Sequence, residues 1–183
     1  MKKRNFIIDT SIFINPNARK GFANSAHSAM LKFIKIAEKS KHEFYAPPSL
    51  FKELGNFIPE CMDRFSMVVK KKAPNKYALY LPASVFESFL EDVRYRIGKG
   101  LKLAEKYALK PSASAAEIKR LREQYREIMR SGIVDSQEDF EIVLLAKEID
   151  ATIATADEGI AKMAEKLGCE FVDGKTFWKI ITK

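Results

Sequence analysis

The stretch FIIDTSIF, residues 6–13, decides the fold, because its apolar first half has the character of a buried strand and ends in an acid. Asp9 follows the apolar run directly, and two hydroxyl residues, Thr10 and Ser11, come next. An Asp at the end of a strand is common in turns, where its side chain bonds the backbone. Asp9 therefore gains a functional meaning only if other segments of the chain place matching side chains beside it.

Segments of strand character alternate with segments of helical periodicity near both ends of the chain. Strands are predicted at 4–8 and 43–46, followed by a helix at 21–40 and by a helix capped by Ser49. Beyond Gly132 the predicted elements are a helix at 136–149, a strand at 151–156, a helix at 157–167, a strand at 169–172 and a helix at 174–182. Such alternation predicts an α/β fold with a mostly parallel sheet covered by helices on both faces.

The middle of the chain has a different pattern. Two long polar helices are predicted at 82–109 and 114–130, and the KPSAS segment between them makes them an antiparallel hairpin. A loop or an edge ribbon is expected around residues 70–76. The predicted parts are an α/β domain of residues 1–57 and 132–183 and an inserted basic helical hairpin of residues 58–131.

The net charge is concentrated in the predicted insertion. The whole chain has a formal charge of +8. Residues 58–134 hold 16 Lys or Arg against 9 Asp or Glu, a net charge of +7, whereas the rest of the chain is nearly neutral. This distribution is expected of a basic surface that holds a polyanion such as a nucleic acid. A solubilising helix surface is the alternative.

Composition also disfavours several classes of site and of protein. The two cysteines and two histidines lack the spacing of a zinc site, and the cysteines do not suggest a disulfide framework. No N-terminal run has the apolar core of a signal peptide, and none approaches the ~20 apolar residues of a membrane helix. We therefore expect a cytoplasmic protein without membrane contact, whose chemistry rests on carboxylates.

Acids from distant segments are predicted to meet at one edge of the sheet. Asp157, like Asp9, follows a predicted strand, and sites in α/β folds form outside the carboxyl ends of the strands. Asp135 and Asp139 lie one turn apart at the start of the preceding helix. Asp139 shares its face of that helix with apolar residues, so its ionised side chain needs a compensating partner.

Some acidic positions have an alternative role. Asp135 can be the N-cap of its helix, with Glu138 in the first turn. Glu53 can join the cluster or be an exposed helix residue. Glu141 lies on a different side of its helix from Asp139, where it is solvated or supports the metal ligands from behind.

The predicted acidic cluster requires a cation, since carboxylates that meet without one repel each other and retain protons. Because neither Cys nor His is near, an all-oxygen site selects a hard ion, Mg²⁺ or Mn²⁺. Such ions serve phosphate chemistry, and a basic insertion can hold a nucleic-acid backbone against them. The acids and the basic hairpin together predict a metal-dependent nuclease.

Basic residues of the second hairpin helix form one stripe. Arg122, Arg126 and Arg130 recur every four residues and lead along the chain toward Asp135. Phosphate contacts of this kind position RNA without reading its sequence. A second basic set either holds a more distant part of the RNA or is a solvated face: Arg94, Arg96, Lys99, Lys102 and Lys106.

The first hairpin helix also carries an apolar stripe longer than its partner helix needs. Its members are Val85, Phe86, Phe89, Leu90, Val93 and Ile97. Such a stripe is a candidate interface between copies of the chain, so a homo-oligomer is predicted. Tyr95 and Tyr125 either stack on bases or pack between helices.

The acids and their flanking residues resemble those of a known family. The order Asp9 in DTS, Glu53, Asp139 in DFEIVLLA and Asp157 in TAD resembles the PIN-domain metallonucleases, over residues 1–57 and 132–183. With the opening DTSIFINP, the extra Asp135 and the long basic hairpin, the whole chain resembles the minimal protein-only, or RNA-free, ribonuclease P family. Members of that family are also described as RNA ligase partner proteins.

This resemblance implies a PIN-like α/β domain split by a spike-helix hairpin, and an endonuclease that removes the 5′ leader from precursor tRNA. It implies Mg²⁺ or Mn²⁺ as cofactor, 5′-phosphate and 3′-hydroxyl products, and a homo-oligomer built through the inserted helices. The catalytic and metal-binding acids it implies are Asp9, Asp135, Asp139 and Asp157, with Glu53 and Glu141 as further acids. Arg122 and Arg126 match basic positions expected to contact the RNA.

Two other functions fit parts of the sequence. A toxin-type PIN ribonuclease shares the acids, but a compact toxin has no need of the long insertion. A non-catalytic RNA-binding or assembly module, in which the acids only cap helices, fits the basic hairpin. Cleavage of a precursor tRNA at the mature 5′ end with Mg²⁺, and its loss with EDTA or in Asp139→Asn, separates the proposed nuclease from the non-catalytic module.

Overall fold

A computed structural model describes residues 3–109, 114–130 and 136–183 of the chain. The chain forms two compact units. The first consists of Met1–Tyr80 and Ser136–Lys183, and the second of Leu81–Asp135. None of the helices in the described part of the chain has the length and apolar character that a membrane crossing requires.

The first unit contains a five-stranded sheet in which every neighbouring pair of strands is parallel, so the predicted α/β fold is confirmed. Its strands are β1 (Asn5–Ile8), β2 (Glu43–Ala46), β3 (Val69–Lys71), β4 (Thr152–Ala154) and β5 (Phe171–Val172). Their order is β3-β2-β1-β4-β5. The strand order therefore reverses between β1 and β4, and a crevice opens at such a switch point.

Helices connect and cover the strands. In chain order they are α1 (Ser11–Ile14), α2 (Ala26–Ala37), α3 (Pro48–Phe57), α4 (Met62–Val68), α5 (Ala83–Ala108), α6 (Ala115–Arg130), α7 (Gln137–Ile149), α8 (Glu158–Leu167) and α9 (Gly174–Ile181). A one-turn 3₁₀ helix, Pro59–Cys61, separates α3 from α4. All of these except α5 and α6 belong to the first unit.

Aromatic side chains form much of the core of the first unit. Phe6 of β1 lies edge-on to Phe177 of α9, with ring centroids 5.4 Å apart. Phe33 of α2 contacts Phe44 of β2 in the same geometry at 5.1 Å. These rings are almost completely buried, and burial of one such side chain contributes about 1.5–3 kcal/mol. The apolar face that each helix buries thus fixes α2 and α9 against the sheet.

The structure differs from the predicted elements at several boundaries. Helix α2 begins at Ala26 rather than near 21, because Ser25 and Ser28 form a capping box there. Ser49 does not cap α3: Pro47 holds the cap position, and Pro48 starts the helix with its fixed φ angle. Residues 11–14, to which the sequence pattern assigned no element, form the short helix α1.

Residues 58–80, which the sequence assigned to the insertion, lie in the first unit. Phe65 of α4 is fully buried there. Strand β3 pairs with β2, with Lys70 opposite Tyr45, and forms the edge of the sheet. Strand β3 has only three residues, and one of their side chains is buried. Its apolar pattern is therefore too short to distinguish a strand from a loop in the sequence.

The second unit is a hairpin of α5 and α6. Both helices match their predicted spans, and α5 continues without interruption through Gly98 and Gly100. A Cβ atom at Gly100 would lie 2.9 Å from Cε2 of Tyr125, so glycine permits the ring of α6 to approach α5. Tyr125 therefore packs between the helices, which is one of the two roles expected for it.

Candidate active site at the carboxyl edge of the sheet

The carboxyl edge, defined here by the chain just beyond the last residues of β1 and β4, carries two of the predicted acids. Ile8 pairs with Ala154 at the ends of these neighbouring strands. Asp9 follows Ile8, and its N–H donates to the carbonyl of Ala154 at 3.1 Å. Asp157 lies three residues beyond Ala154 and is the N-cap of α8. Both acids therefore lie at the switch point of the sheet, as expected of a ligand site.

The carboxylate of Asp9 is held by hydroxyl groups. Asp9 is 4% exposed, and its Oδ2 accepts hydrogen bonds from the hydroxyls of Thr155, at 2.7 Å, and Ser11. The Ser11 hydroxyl in turn accepts from the N–H of Ala156 at 2.8 Å, and Thr155 Oγ1 accepts from the N–H of Asp157 at 2.9 Å. These bonds fix the orientation of the Asp9 side chain relative to the segment after β4.

Thr155 is the residue that sequence reasoning missed. Ser11, by contrast, lies two residues after Asp9, and its hydroxyl donates to the Asp9 carboxylate. The only sequence signal for Thr155 is its place two residues before Asp157 in the TAD motif. Since its partner Asp9 is 146 residues away, no local pattern identifies the contact.

The pKa of the Asp9 carboxyl is raised to about 6, chiefly because burial removes the ionised form from water. The nearby charge of Asp139 raises it further, whereas the hydrogen bonds from Ser11 and Thr155 lower it. Asp9 and Asp139 are thus close enough for their charges to interact. A positive charge placed between them would lower this pKa and stabilise the ionised carboxylates.

Asp139 and Asp157 are held by local helix-start contacts. The N–H of Asp139 donates to the Ser136 hydroxyl at 3.0 Å, and its side chain is half-buried. Asp157 Oδ1 accepts from the N–H of Ile160 at 2.9 Å, while the residue is exposed. Ser136 is the N-cap of α7, which is the role that Asp135 was alternatively given. Asp135 itself lies outside the described residues.

Glu53 reaches the same edge from α3. Its Oε2 accepts a hydrogen bond of 2.7 Å from the hydroxyl of Thr10, the residue next to Asp9. Thr10 is buried, so its hydroxyl needs such a partner. Of the two roles expected for Glu53, the structure favours contact with the Asp9 segment over simple solvation, although the side chain remains exposed.

Glu141 is bound rather than solvated. Its two oxygens accept hydrogen bonds from Lys76 Nζ at 2.7 Å and from the Ser49 hydroxyl at 2.8 Å. Burial alone would raise the pKa of Glu141, but these two hydrogen bonds outweigh it and the pKa is lowered. Lys76 thus compensates the charge of Glu141.

A second set of contacts connects the loop of residues 72–76, which contains Lys76, to α7. Glu148 accepts from Lys72 Nζ and from the N–H of Asn75, both at 2.6 Å. Lys72 comes directly after β3, and Asn75 follows three residues later in the loop at the carboxyl end of that strand. The loop of residues 72–76 is therefore clamped to α7 by Glu148 as well as by Glu141.

The acids of the carboxyl edge are not packed as tightly as metal ligands. Within the described ranges, the one group of three His, Cys, Asp or Glu residues with ligand atoms all within 4.8 Å is His27, Glu60 and Cys61. Like-charged carboxylates repel one another, and a cation bound among them would draw them closer together. The group around His27 was not predicted, because His27 lies 33 positions before Glu60 in sequence.

The basic residues singled out in the sequence lie on the hairpin of the second unit. Arg122 and Arg126 of α6 are exposed and line the same shallow groove of about 350 Å³. Arg94 and Lys99 of α5 are also exposed, and Lys99 Nζ lies 4.4 Å from the ring centroid of Tyr95. Arg96 is half-buried on α5. The side chain of Arg130 lies outside the described part of the structure.

Comparison with known proteins gives matches over nearly the whole chain. The sequence profile described as PINc domain ribonuclease matches residues 5–183. A protein of Pyrococcus furiosus named RNA-free ribonuclease P is 45% identical over 96% of this chain and 92% of its own length. Proteins with the same name from Thermococcus kodakarensis and Thermodesulfovibrio yellowstonii are 43% and 41% identical, over 96% of this chain in both cases and 93% and 92% of their own lengths.

Proposed function

Because the chain belongs to the RNA-free ribonuclease P family of PINc domain ribonucleases, we propose that it removes the 5′ leader from precursor tRNA. The reaction is hydrolysis of one phosphodiester bond, which leaves a 5′-phosphate on the tRNA and a 3′-hydroxyl on the leader. The observation that carries this proposal is the buried Asp9 carboxylate, oriented by two hydroxyls at the switch point of the sheet.

PIN-domain nucleases depend on a divalent metal ion, and the residues of the carboxyl edge fit one. Their donor atoms are carboxylate oxygens, the ligands that Mg²⁺ and Mn²⁺ prefer. The raised pKa of Asp9, caused by burial and by Asp139, marks a site that lacks positive charge. In this proposal Asp9, Asp139 and Asp157 hold Mg²⁺, with Asp135 as a fourth acid and Mn²⁺ as a substitute.

When bound, such an ion withdraws charge from a phosphate oxygen and makes a coordinated water more acidic. The residues of the chain provide the geometry. Ser11 and Thr155 keep the Asp9 carboxylate in one orientation, and Thr10 connects the same segment to Glu53. Lys76 neutralises Glu141, which limits the negative charge around Asp139 on the same helix.

RNA binding is assigned to the hairpin of the second unit. In this proposal its exposed cations contact phosphates of the precursor: Arg122, Arg126 and Arg130 on α6, and Arg94, Arg96 and Lys99 on α5. The second unit, residues 81–135, holds 11 Lys or Arg against 8 Asp or Glu, and this net charge of +3 supports the assignment, because neutralising phosphates provides most sequence-independent affinity for nucleic acids. The hairpin thus holds the RNA while the first unit carries the acids.

The hairpin also carries the proposed interface of a homo-oligomer. Phe86 is 63% exposed, and Phe89, Leu90 and Ile97 of the same stripe are 49%, 46% and 58% exposed. Val85, which was expected in this stripe, is buried and does not contribute to the exposed surface. A second copy of the chain that covers this face of α5 would remove the apolar surface from water.

A cleavage assay tests the proposed function. A precursor tRNA labelled at its 5′ end is incubated with the protein in Mg²⁺ and in EDTA, and the product ends are mapped. We expect cleavage at the mature 5′ end in Mg²⁺ alone and its loss in Asp139→Asn. Glu138→Gln is the matched control, because Glu138 is the adjacent exposed acid of α7. Cleavage that persists in EDTA, or tight RNA binding without cleavage, contradicts the proposal.

A further inference from the structure

Three potential metal ligands of different chemistry meet away from the carboxyl edge. They are an imidazole, a carboxylate and a thiol, from His27, Glu60 and Cys61. One ligand atom of each lies within 4.8 Å of the other two. His27 Nε2 and Glu60 Oε1 are 3.6 Å apart.

Local structure explains why these side chains converge. The capping box of Ser25 and Ser28 starts α2, and His27 is the second residue of that helix. Pro59 starts the 3₁₀ helix that contains Glu60 and Cys61, and this turn packs against α2. Each segment is therefore held by its own local contacts before any ligand binds.

Burial makes this group a half-open site. Cys61 is 1% exposed, so its sulfur forms the inner side of the group. The side chains of His27 and Glu60 are 48% and 57% exposed and lie toward solvent. An ion can enter between them, and water can occupy a further coordination position.

The donor set selects the kind of ion. Nitrogen, oxygen and sulfur together suit a borderline transition metal, above all Zn²⁺, whereas Mg²⁺ takes oxygen ligands only. In a tetrahedral zinc site with bonds of 2.0–2.3 Å, neighbouring ligand atoms lie about 3.3–3.5 Å apart. The separation of 3.6 Å between His27 and Glu60 already approaches that spacing.

We propose that His27, Glu60 and Cys61 bind one Zn²⁺ ion per chain, with water as the fourth ligand. The ion joins the start of α2 to the turn between α3 and α4, and so stabilises the first unit. Its ligands differ from the acids proposed for catalysis.

Cobalt binding tests this site in the full-length chain. Metal-free protein is titrated with Co²⁺, and we expect thiolate-to-cobalt charge-transfer absorption in the near ultraviolet at one ion per chain. Added Zn²⁺ abolishes this absorption by displacement. In the same range of Zn²⁺, the melting temperature of the wild-type chain rises. Carboxylates give no such band, so the acids of the carboxyl edge do not interfere.

Variants separate the site from the rest of the molecule. Cys61→Ser removes the charge-transfer band, and Glu60→Gln, at an exposed position, weakens Zn²⁺ binding by more than about tenfold without disturbing the core. Cys169→Ser, which alters the other thiol, and Asp9→Asn retain the band. Absence of the band in the wild-type chain, its survival in Cys61→Ser, or unchanged Zn²⁺ affinity in Glu60→Gln overturns the proposal.

Discussion

The hydroxyl of Thr155 donates a hydrogen bond of 2.7 Å to Oδ2 of Asp9. The same hydroxyl oxygen accepts from the N–H of Asp157 at 2.9 Å. One side chain thus connects the two acids that follow β1 and β4. If these acids hold the metal ion, the geometry of the ion depends on a residue that does not contact it.

Replacing Thr155 by valine tests this dependence. Thr155→Val keeps the shape of the side chain but removes the donor to Asp9, so we expect a lower affinity for Mg²⁺. Loss of a hydrogen-bond partner to a ligand typically costs 10–100-fold in metal affinity or activity. Single-turnover cleavage measured against Mg²⁺ concentration gives this shift. Thr155→Ser, which retains the hydroxyl, serves as control; equal Mg²⁺ dependence of the valine variant and the wild type would refute the role.

Asp9→Asn is expected to abolish cleavage while stabilising the metal-free protein near neutral pH. The pKa of Asp9 is about 6 in the folded chain against 3.8 for the unfolded group, so the folded state binds more protons between these values. The free energy of unfolding of the wild type therefore falls as pH rises from about 4 to 6. The free energy of unfolding of the asparagine variant does not fall in this way, so above pH 6 it should exceed that of the wild type by up to about 3 kcal/mol.

Urea unfolding in EDTA at a series of pH values measures this effect. The free energies of unfolding of the wild type and Asp9→Asn should be similar near pH 4 and differ increasingly above it. Asp173→Asn, at an exposed helix cap far from Asp9 in sequence, controls for the removal of a carboxylate in general. A difference in unfolding free energy between the two proteins that stays constant from pH 4 to pH 7 contradicts the raised pKa.

The ion pair of Lys76 and Glu141 is expected to contribute modestly to stability. Lys76→Met removes the cation, and because the lysine side chain is 42% exposed we expect a loss of only about 0.5–1 kcal/mol at neutral pH. The pKa of Glu141 is lowered in the folded chain, so this contribution is present above the ordinary pKa of 4.5 and disappears as pH falls below it. A double-mutant cycle with Glu141→Gln measures the coupling free energy between Lys76 and Glu141. A coupling of zero at neutral pH would show that the ion pair does not stabilise the fold.

Arg122 and Arg126 are expected to act through phosphate contacts. The double variant Arg122→Gln/Arg126→Gln should weaken RNA binding and reduce the slope of log affinity against log salt by about 1.4–1.8, that is, by about 0.7–0.9 for each of the two lost contacts. Cleavage at saturating RNA should remain near the wild-type rate. Arg120→Gln is the matched control, because Arg120 is an exposed arginine on a different face of α6. An unchanged salt slope in the double variant argues against direct phosphate contacts.

The exposed apolar stripe of α5 is expected to mediate self-association. Phe86→Ser/Phe89→Ser removes two adjacent rings, whose centroids are 6.5 Å apart, and should shift the protein to a smaller species in light-scattering measurements. Tyr77→Ser, at a fully exposed aromatic residue of the first unit, should leave the size unchanged. A wild-type chain that is monomeric at both low and high salt contradicts the interface.

The convergence of Asp9 and Asp157 could be predicted from sequence for a definite physical reason. Each acid follows an apolar run, and parallel strands place their carboxyl ends at one edge. The prediction therefore required only that β1 and β4 be neighbouring strands of the sheet, as they are. The raised pKa of Asp9, in contrast, depends on how completely the rest of the chain covers it, which no local pattern records.

Contacts between distant polar residues could not be predicted in this way. Ser49 has the residue type of a helix cap, yet its hydroxyl bonds to Glu141, and Pro48 starts α3 instead. His27 and Cys61 have no metal-site spacing because separate segments deliver them. In both cases tertiary packing determines which residues contact each other, whereas the sequence pattern indicates only the local secondary-structure preference.

The ion pairs at the loop of residues 72–76 have a consequence for the evolution of the chain. Lys72 with Glu148, and Lys76 with Glu141, join the segment that precedes the hairpin to the helix that follows it. Each ion pair therefore connects, within the first unit, the two chain segments that flank the hairpin. Since the closure entropy of a loop grows only slowly with its length, hairpins can lengthen, shorten or be exchanged at this point at little thermodynamic cost. The clamp thus makes the first unit a scaffold that accepts different segments between residue 76 and α7.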